Sequence, residues 1–475
     1  MIRSLPQALE WCAERQSTEA RELIAELGRA LGVSTAPGDV AMVSLPTSWD
    51  FLAAVCAVWN VGCIGTAVGL KATSNEVAAL VGRTRPSVVL HSVGDRRFAS
   101  FARQTQQLSA RLAITETGLR SPACAADDAW LAPTSGSTGE AKIAILGSSA
   151  LLSNAIATGQ LQDMSASSRA CAFTPSNFSY ALNQMLSTAL AGSDIFFWPH
   201  GLSSPADLRN FIREHEITHI SANPTSFKML LGRSGEVSSS VNWVVSGGQP
   251  LDAALIGLLG SAFPRATVVS GYGCTENVNR ITFHVIETNG DPPLGASSVG
   301  RPIAGTQISL VEEGQHSEIE IRGCSLMRGY LGEVGVNEQI TAFRTGDLGV
   351  IRADGLHIVG RRKTAVNVGN EMVLPEEVEE LTKRNSQVLE CAAGPVHDAL
   401  LGEAIGIVVE LDDESDAERI VDDLRREWRT TLSPAKIPRS IVVVAPGGIP
   451  RTEYGKIDRA HLRELLPTGP RYEID

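Results

Sequence analysis

The stretch Thr134-Ser135-Gly136-Ser137-Thr138-Gly139-Glu140-Ala141-Lys142 decides how this chain is read. It comes just after the apolar run Ala129-Trp130-Leu131-Ala132. Hydroxyls and glycines alternate through it, and a lysine closes it. Glycine has no Cβ, so its backbone N–H groups can approach an anion closely and point inward together. The hydroxyls add donors, and Lys142 adds a point charge. Such a set suits a polyphosphate. The spacing is not the Walker pattern, because Gly136 and Gly139 are too close and Ile143 follows the lysine. A Ser/Thr/Gly run also occurs as a plain turn or linker.

Four more segments follow in order: GYGCTEN at Gly271 to Asn277, RTGDLG at Arg344 to Gly349, VGRRK at Val359 to Lys363, and PRTEYGKIDR at Pro450 to Arg459. With the loop, they resemble the adenylate-forming superfamily of acyl-CoA synthetases, aryl-acid ligases, peptide-synthetase adenylation domains and luciferases. The resemblance runs from about Gly38 to about Leu462, nearly the whole chain.

Size and composition agree with a soluble globular protein of more than one domain. A chain of 475 residues exceeds one ordinary core, so two or more domains are expected. Its 43% apolar content fits a globular protein. A net charge of −12 argues against nucleic acid or anionic membranes as partners. The eight cysteines are scattered without a C-x-x-C pair, as in a reduced, cytoplasmic protein. The first residues, MIRSLPQALEWCAERQ, have no apolar core of a signal peptide. Phe51 to Leu70 carries no formal charge over twenty residues, the length of a membrane span. Gly62, Gly65 and Gly69 instead predict a buried helix from about Ser48 to Asn60, a stop and a short strand.

Along the chain, an amphipathic helical lead precedes Gly38. Strands and helices then alternate as Asp39 to Leu45, Ser74 to Val81 and Ser87 to His91. Gly94 to Asp128 reads as a polar surface excursion. From Ser148 to Ser270 the βα alternation is regular, which predicts parallel layers. From Gly300 to Val359 short strands with glycine turns predominate, and a small α+β unit follows. The expected fold is therefore α/β: a large N-terminal domain of parallel βα layers plus a β-rich subdomain, then a small α+β C-terminal domain. The expected boundary puts residues 1–360 in the first and 361–475 in the second. By resemblance the second is a mobile lid that hinges at Arg361 to Lys363, with Lys363 at the pivot.

The resemblance also implies roles. Thr134, Ser135, Gly136, Ser137, Thr138, Gly139 and Lys142 would hold the β- and γ-phosphates of ATP. Tyr272, with Gly273 beside it, would face adenine, Thr275 the α-phosphate, and Glu276 would bind Mg²⁺. A hard dication with phosphate ligands needs only one or two protein carboxylates. Gly247, Gly248 and Gln249 would form the turn beside adenine, although an ordinary strand-to-helix turn looks the same. Asp347 would accept hydrogen bonds from the ribose hydroxyls, and Arg361 would reach the ribose. Lys456 would enter against the α-phosphate and the substrate carboxylate; a flexible point charge suits a part that comes and goes. Phe178, Ser179, Asn223, Ser246, Gly248 and Cys274 are pocket candidates for the acid, with Asn177 and Asn183 as further donors. A neutral Ser179 disfavours an α-amino acid. Ala141 departs from the usual proline before the lysine.

His215-Glu216-Ile217-Thr218-His219 is a literal H-E-x-x-H. A zinc site would need both histidines on one helical face. Here the helix is expected to end near His215 and a strand to begin near His219. The implied activity is activation of a carboxylic acid to acyl-AMP with release of pyrophosphate. Transfer follows to a thiol, either CoA or the phosphopantetheine of a carrier protein. An amine acceptor, an unusual acid, and a non-catalytic nucleotide-binding protein are the competing readings.

Overall fold

The computed structural model describes residues 18–134, 142–232, 235–286, 298–313, 316–335, 337–369, 371–398, 400–412, 414–451, 457–466 and 471–473. The chain divides into two compact units. One comprises Met1–Pro292, Gly300–Ile308 and Ile321–Phe343; the other comprises Pro293–Val299, Ser309–Glu320 and Arg344–Asp475.

The first unit contains an eight-stranded sheet. Its order is Gly329–Tyr330, Ile143–Gly147, Asp128–Pro133, Ile64–Ala67, Val40–Ser44, Val88–Ser92, Leu112–Glu116, Gln104–Gln107. The central pairings are parallel and the outer ones antiparallel. The charge-free run resolves as its glycines predict. Ser48 caps the helix Trp49–Asn60 by accepting from the Phe51 N–H, Gly62 turns the chain at φ +75°, and Ile64–Ala67 enters the sheet. Gly65 lies against the Trp130 ring, where a Cβ would come within 2.3 Å. Among the described residues no helix is long and apolar enough to cross a membrane.

One expectation fails here. The segment read as a surface excursion supplies two strands, Gln104–Gln107 and Leu112–Glu116. Leu112 to Thr115 are buried against Val88–Ser92. The outer strand is wholly exposed and made of Gln and Thr, so it has no hydrophobic period to read.

The second sheet holds five parallel strands in the order Asp194–Phe197, Arg169–Ala172, His219–Ala222, Trp243–Gly247, Thr267–Tyr272. Thr282–Ile286 joins antiparallel beside the last. Helices Pro205–Glu214, Pro224–Leu231 and Ala253–Ala262 contribute Leu208, Ile212, Phe227, Leu230, Leu255 and Leu259 to a core with Ile220, Val244 and Val268. Each such side chain contributes roughly 1.5–3 kcal/mol by leaving water. All five strands end at one edge, so the segments after Ala222, Gly247 and Tyr272 meet there. Ligands bind at that edge of parallel sheets.

In the second unit, Phe343–Arg352 and Gly355–Arg361 form an antiparallel pair with a bulge at Leu348/Gly349. Val366–Val368 and Glu371–Val373 pair antiparallel, with Gly369 at φ +58° after the first strand. Gly402–Leu411 is central, pairing with Val366–Val368, Val388–Asp398 and Ser440–Val444. Helices Pro375–Thr382 and Ala417–Thr431 cover this sheet, and buried Trp428 donates from its indole to Thr382 Oγ1 at 3.2 Å.

Candidate active site

The neck of the glycine-rich loop is closed by the Thr134 N–H, which donates to the Lys142 carbonyl at 2.8 Å. Ser135, Gly136, Ser137, Thr138 and Gly139 lie outside the described residues. Strand Ile143–Gly147 begins one residue after Lys142, and the short strand Gly329–Tyr330 pairs with it, Tyr330 opposite Ala144. This register puts the Tyr330 ring 4.4 Å from the Lys142 ammonium. The ammonium also meets the Glu333 carboxylate at 3.0 Å, and both partners are about half exposed. An ion pair that open to water is weakly held, so Lys142 is free to exchange partners.

The Tyr330 hydroxyl donates to Glu276 Oε1 at 2.7 Å. Burial, and then the Glu276 carboxylate, push the Tyr330 phenol far above its ordinary range. It is therefore a permanent donor. Glu276 Oε2 takes no hydrogen bond from a described residue, which leaves an oxygen for a hard cation. Lys142, Tyr330, Glu276 and Glu333 thus form one cluster. Sequence reasoning supplied Lys142 and Glu276 but missed Tyr330 and Glu333. The only signal for Tyr330 is that it is one of five tyrosines and stands in a turn-rich segment.

Glu276 is held by a tight turn. Thr275–Asn277 is a single 3-10 turn, followed by Val278 and Asn279 at φ +53° and +67°. Left-handed backbone costs about 1–3 kcal/mol at a non-glycine residue and persists only where the surroundings impose it. Here they do. Asn154 Nδ2 donates to the Asn277 carbonyl at 3.2 Å and the Arg280 carbonyl at 2.8 Å. Asn277 Nδ2 donates to the same Arg280 carbonyl at 3.0 Å, and the Met327 N–H to the Glu276 carbonyl at 2.8 Å. Gly273 is forced, since a Cβ there would lie 2.1 Å from the Asn279 carbonyl oxygen.

Other predicted residues gather at the same strand edge. Ser179 opens the helix Ser179–Leu190, after Phe178 at its N-cap, and its hydroxyl donates to Thr275 Oγ1 at 3.4 Å. Tyr272 ends its strand, with Cys274 two residues on. Gly247 packs against the Gly271 carbonyl and the Tyr180 ring, while Gly248, at φ +83°, has open space where a Cβ would be. Gln249 accepts from Thr225 Oγ1 at 3.0 Å. Ser246 is 1% exposed, and its hydroxyl has no partner among the described residues. Asn223 caps the helix Pro224–Leu231 through Oδ1. Asn183, offered as a pocket donor, donates instead to Asn154 Oδ1 at 2.9 Å and so belongs to the network behind the turn.

In the second unit Asp347 and Arg361 face each other across the strand pair, Arg361 Nε on Asp347 Oδ1 at 2.7 Å. Lys363 lies in the 3-10 turn Arg362–Thr364. Lys456 is outside the described residues. Its flanks are fixed: Arg451 and Ile457 pair in an isolated bridge, and Arg459 Nη1 donates to Glu379 Oε1 at 2.9 Å and to the Ala393 carbonyl at 2.7 Å.

The H-E-x-x-H motif is divided as expected. His215 caps the helix Pro205–Glu214, Glu216 turns at φ +45°, and His219 begins a strand. His219 Nε2 donates to the Gln162 carbonyl at 2.9 Å, while Nδ1 meets Thr218 Oγ1 at 2.7 Å. Burial lowers its pKa, opposed by the Gln162 carbonyl and Asp163. A depressed histidine pKa means the unfolded chain binds the proton more readily. Its stabilising contribution is therefore complete above the unfolded value of about 6.5 and is lost as pH falls from there through the lower folded value. We expect the melting temperature to drop less between pH 7.5 and 5.5 in His219→Gln than in the unsubstituted chain. Parallel slopes would contradict this.

The cluster of Lys142, Tyr330, Glu276 and Glu333 lies in one α/β unit with the converging strand ends, an arrangement suited to a charged ligand. The sequence profile of the AMP-binding enzyme family matches residues 16–331, and that of the AMP-binding enzyme C-terminal domain matches residues 377–456. The chain belongs to the AMP-binding enzyme family. It is 26% identical over 511 residues to 3-[(3aS,4S,7aS)-7a-methyl-1,5-dioxo-octahydro-1H-inden-4-yl]propanoyl:CoA ligase of Mycobacterium tuberculosis, covering 98% of this chain and 97% of that one. Its fold matches o-succinylbenzoate CoA synthetase from Bacillus subtilis, solved with its acyl-adenylate intermediate, at a TM-score of 0.78 and 21% identity, covering 96% and 94% of the two chains. It also matches an amide bond synthetase from Marinactinospora thermotolerans at a TM-score of 0.79 and 21% identity, covering 94% and 93%.

Proposed function

We propose that this chain is an ATP-dependent, AMP-forming carboxylic-acid ligase that passes its acyl group to a thiol. The observation that carries the reading is Glu276, held by the Tyr330 hydroxyl with Oε2 left over, in one cluster with Lys142 at the mouth of the glycine-rich loop. Attack of a weak carboxylate nucleophile on a charged α-phosphate needs positioning and charge neutralisation rather than a protein nucleophile. Mg²⁺ on Glu276 would neutralise phosphate charge. Lys142 would leave Glu333 for the β- and γ-phosphates, with Thr134 and the loop residues Ser135, Gly136, Ser137, Thr138 and Gly139. Thr275, aligned by Ser179, would donate to the α-phosphate. Tyr272, Gly273, Gly247, Gly248 and Gln249 would frame adenine. Asp347, oriented by Arg361, would receive the ribose hydroxyls.

Lys456 would stabilise the charge that develops as the carboxylate oxygen bonds to phosphorus and pyrophosphate departs. In this reading residues 361–475 act as a lid that turns at Lys363, and the Gly369 hairpin then lines the path of the thiol. Phe178, Ser179, Asn223, Ser246, Gly248 and Cys274 would shape the acid pocket. The curated relative is a CoA ligase, which favours CoA over a carrier-protein phosphopantetheine. The fold match to an amide bond synthetase keeps an amine as the second reading.

Mass spectrometry of full-length protein incubated with ATP, Mg²⁺ and a panel of acids tests this. Acyl-AMP should form, and it should become acyl-CoA when CoA is added. Conversion only by added amines would favour the second reading, and no adenylate with any acid would count against both. Removing the Tyr330 hydroxyl frees the Glu276 carboxylate to turn. Tyr330→Phe should lower adenylation, or raise the Mg²⁺ needed for it, by about 10–100-fold, the usual cost of losing an outer-shell partner. Unchanged Mg²⁺ titrations and rates would separate Tyr330 from the reaction.

A further inference from the structure

Four residues beyond Glu276, the Arg280 side chain is a buried cation to which the proposed reaction gives no role. It is 2% exposed. Nη1 donates to the Asn279 carbonyl at 3.1 Å and Nη2 to Ser221 Oγ at 3.3 Å, and the Tyr180 ring lies 4.0 Å from the guanidinium carbon. Among the described residues Nε is buried without a partner, and no carboxylate pairs with the group. Two other arginines are paired with carboxylates, whereas partly buried Arg169 is, like Arg280, held by a carbonyl and an aromatic ring. Arg328 binds both oxygens of Asp128 at 2.9 and 2.8 Å, and Arg459 binds Glu379. A guanidinium withdrawn from water without a counter-charge is costly, and an anion seated against it would offset that cost.

Its surroundings say where that anion comes from. Tyr180 follows Ser179, whose hydroxyl touches Thr275, and the Tyr180 hydroxyl bonds Ser221 Oγ at 2.5 Å. The Tyr180 ring also packs on Gly247. Arg280 therefore lies against the Tyr180 ring at the strand edge where the acid pocket is proposed. Its backbone is fixed there by Asn154 and Asn277. Two of five guanidinium protons are engaged, so Nε–H and one proton on each Nη remain for a bidentate partner.

We propose that Arg280 receives a second carboxylate of the acid, so that this enzyme activates dicarboxylic acids, one carboxylate reacting and the other anchoring. The proposal rests on the ligase reading above. Seating the anchor carboxylate requires the Tyr180 ring to move off the guanidinium. A neutral acceptor would satisfy Nε but leave the charge uncompensated, so a carboxylate is the better partner.

The test compares matched acids, hexanoate with adipate and 3-phenylpropanoate with 3-(4-carboxyphenyl)propanoate, on the full-length protein and on Arg280→Met and Arg280→Lys. Two readings are taken: acid-dependent ATP–pyrophosphate exchange, and the thermal shift each acid causes. For one matched pair or the other, the diacid should be preferred on the order of 10–100-fold in kcat/KM, as expected for hydrogen bonds between charged groups. Arg280→Met should erase that preference, and Arg280→Lys should restore part of it. Exchange that favours monoacids, with a ratio that Arg280→Met does not change, would overturn the proposal and leave the ligase reading intact. A diacid shift that Arg280→Met abolishes, without exchange by any acid, would uphold Arg280 as the anchor and overturn the ligase reading.

Discussion

Lys456→Ala should lower acid-dependent adenylate formation by about 10³-fold while ATP still binds. The lysine is proposed to act only on charge that develops in the transition state, and removing one preorganised donor of that kind costs roughly 10²–10³ in rate. Arg451, Ile457 and Arg459 hold the flanking residues by contacts that do not involve the Lys456 side chain, so the fold should survive. Single-turnover formation of acyl-AMP, with ATP affinity measured in parallel, separates the two effects. If transfer from preformed acyl-AMP to CoA is unaffected, the lysine serves the first half-reaction alone. Adenylation within tenfold of the unsubstituted rate would remove Lys456 from the mechanism.

Glu276→Gln is expected to be nearly as severe, at roughly 10²–10³ in adenylation. The amide keeps the size of the side chain and can still accept from the Tyr330 hydroxyl through its carbonyl oxygen. The strained turn through Val278 and Asn279 should therefore hold, and stability should change little. What is lost is the negative charge that would hold Mg²⁺. The Mg²⁺ concentration for half-maximal rate should rise, and part of the rate should return at high Mg²⁺. A simple loss of rate with unchanged Mg²⁺ dependence would assign Glu276 a positioning role instead.

Much of this was legible in the sequence, for identifiable reasons. The regular βα alternation from Ser148 to Ser270 has one physical meaning, a parallel layer, and the strands fell where the apolar runs stand. The glycines of Phe51 to Leu70 separated a buried helix from a membrane span because Gly62 can take a positive φ and Gly65 can lie against Trp130. The exposed strand Gln104–Gln107 had no such signature. Of the proposed site, the residues in ordered motifs were nominated by the sequence: Thr134, Lys142, Thr275, Glu276 and Asp347. Those that belong to it only through pairing of distant segments were not. Tyr330 meets Glu276 because Gly329–Tyr330 adds to the edge of Ile143–Gly147, and two-residue strands leave no periodicity to read. Arg280 stands in no motif that the sequence singles out. Only the left-handed residues before it and the asparagines behind it reveal that the side chain points inward.

The central claim is that this chain joins a carboxylic acid to AMP. Acid-dependent exchange of labelled pyrophosphate into ATP, with Mg²⁺ and without any thiol, tests it most directly, because exchange requires the adenylate to form and reverse. Exchange should need both the acid and Mg²⁺ and be lost in Lys456→Ala. Silence with mono- and dicarboxylic acids alike, from protein that still binds ATP, would contradict it and make the chain a nucleotide-binding protein that has kept the fold without the chemistry.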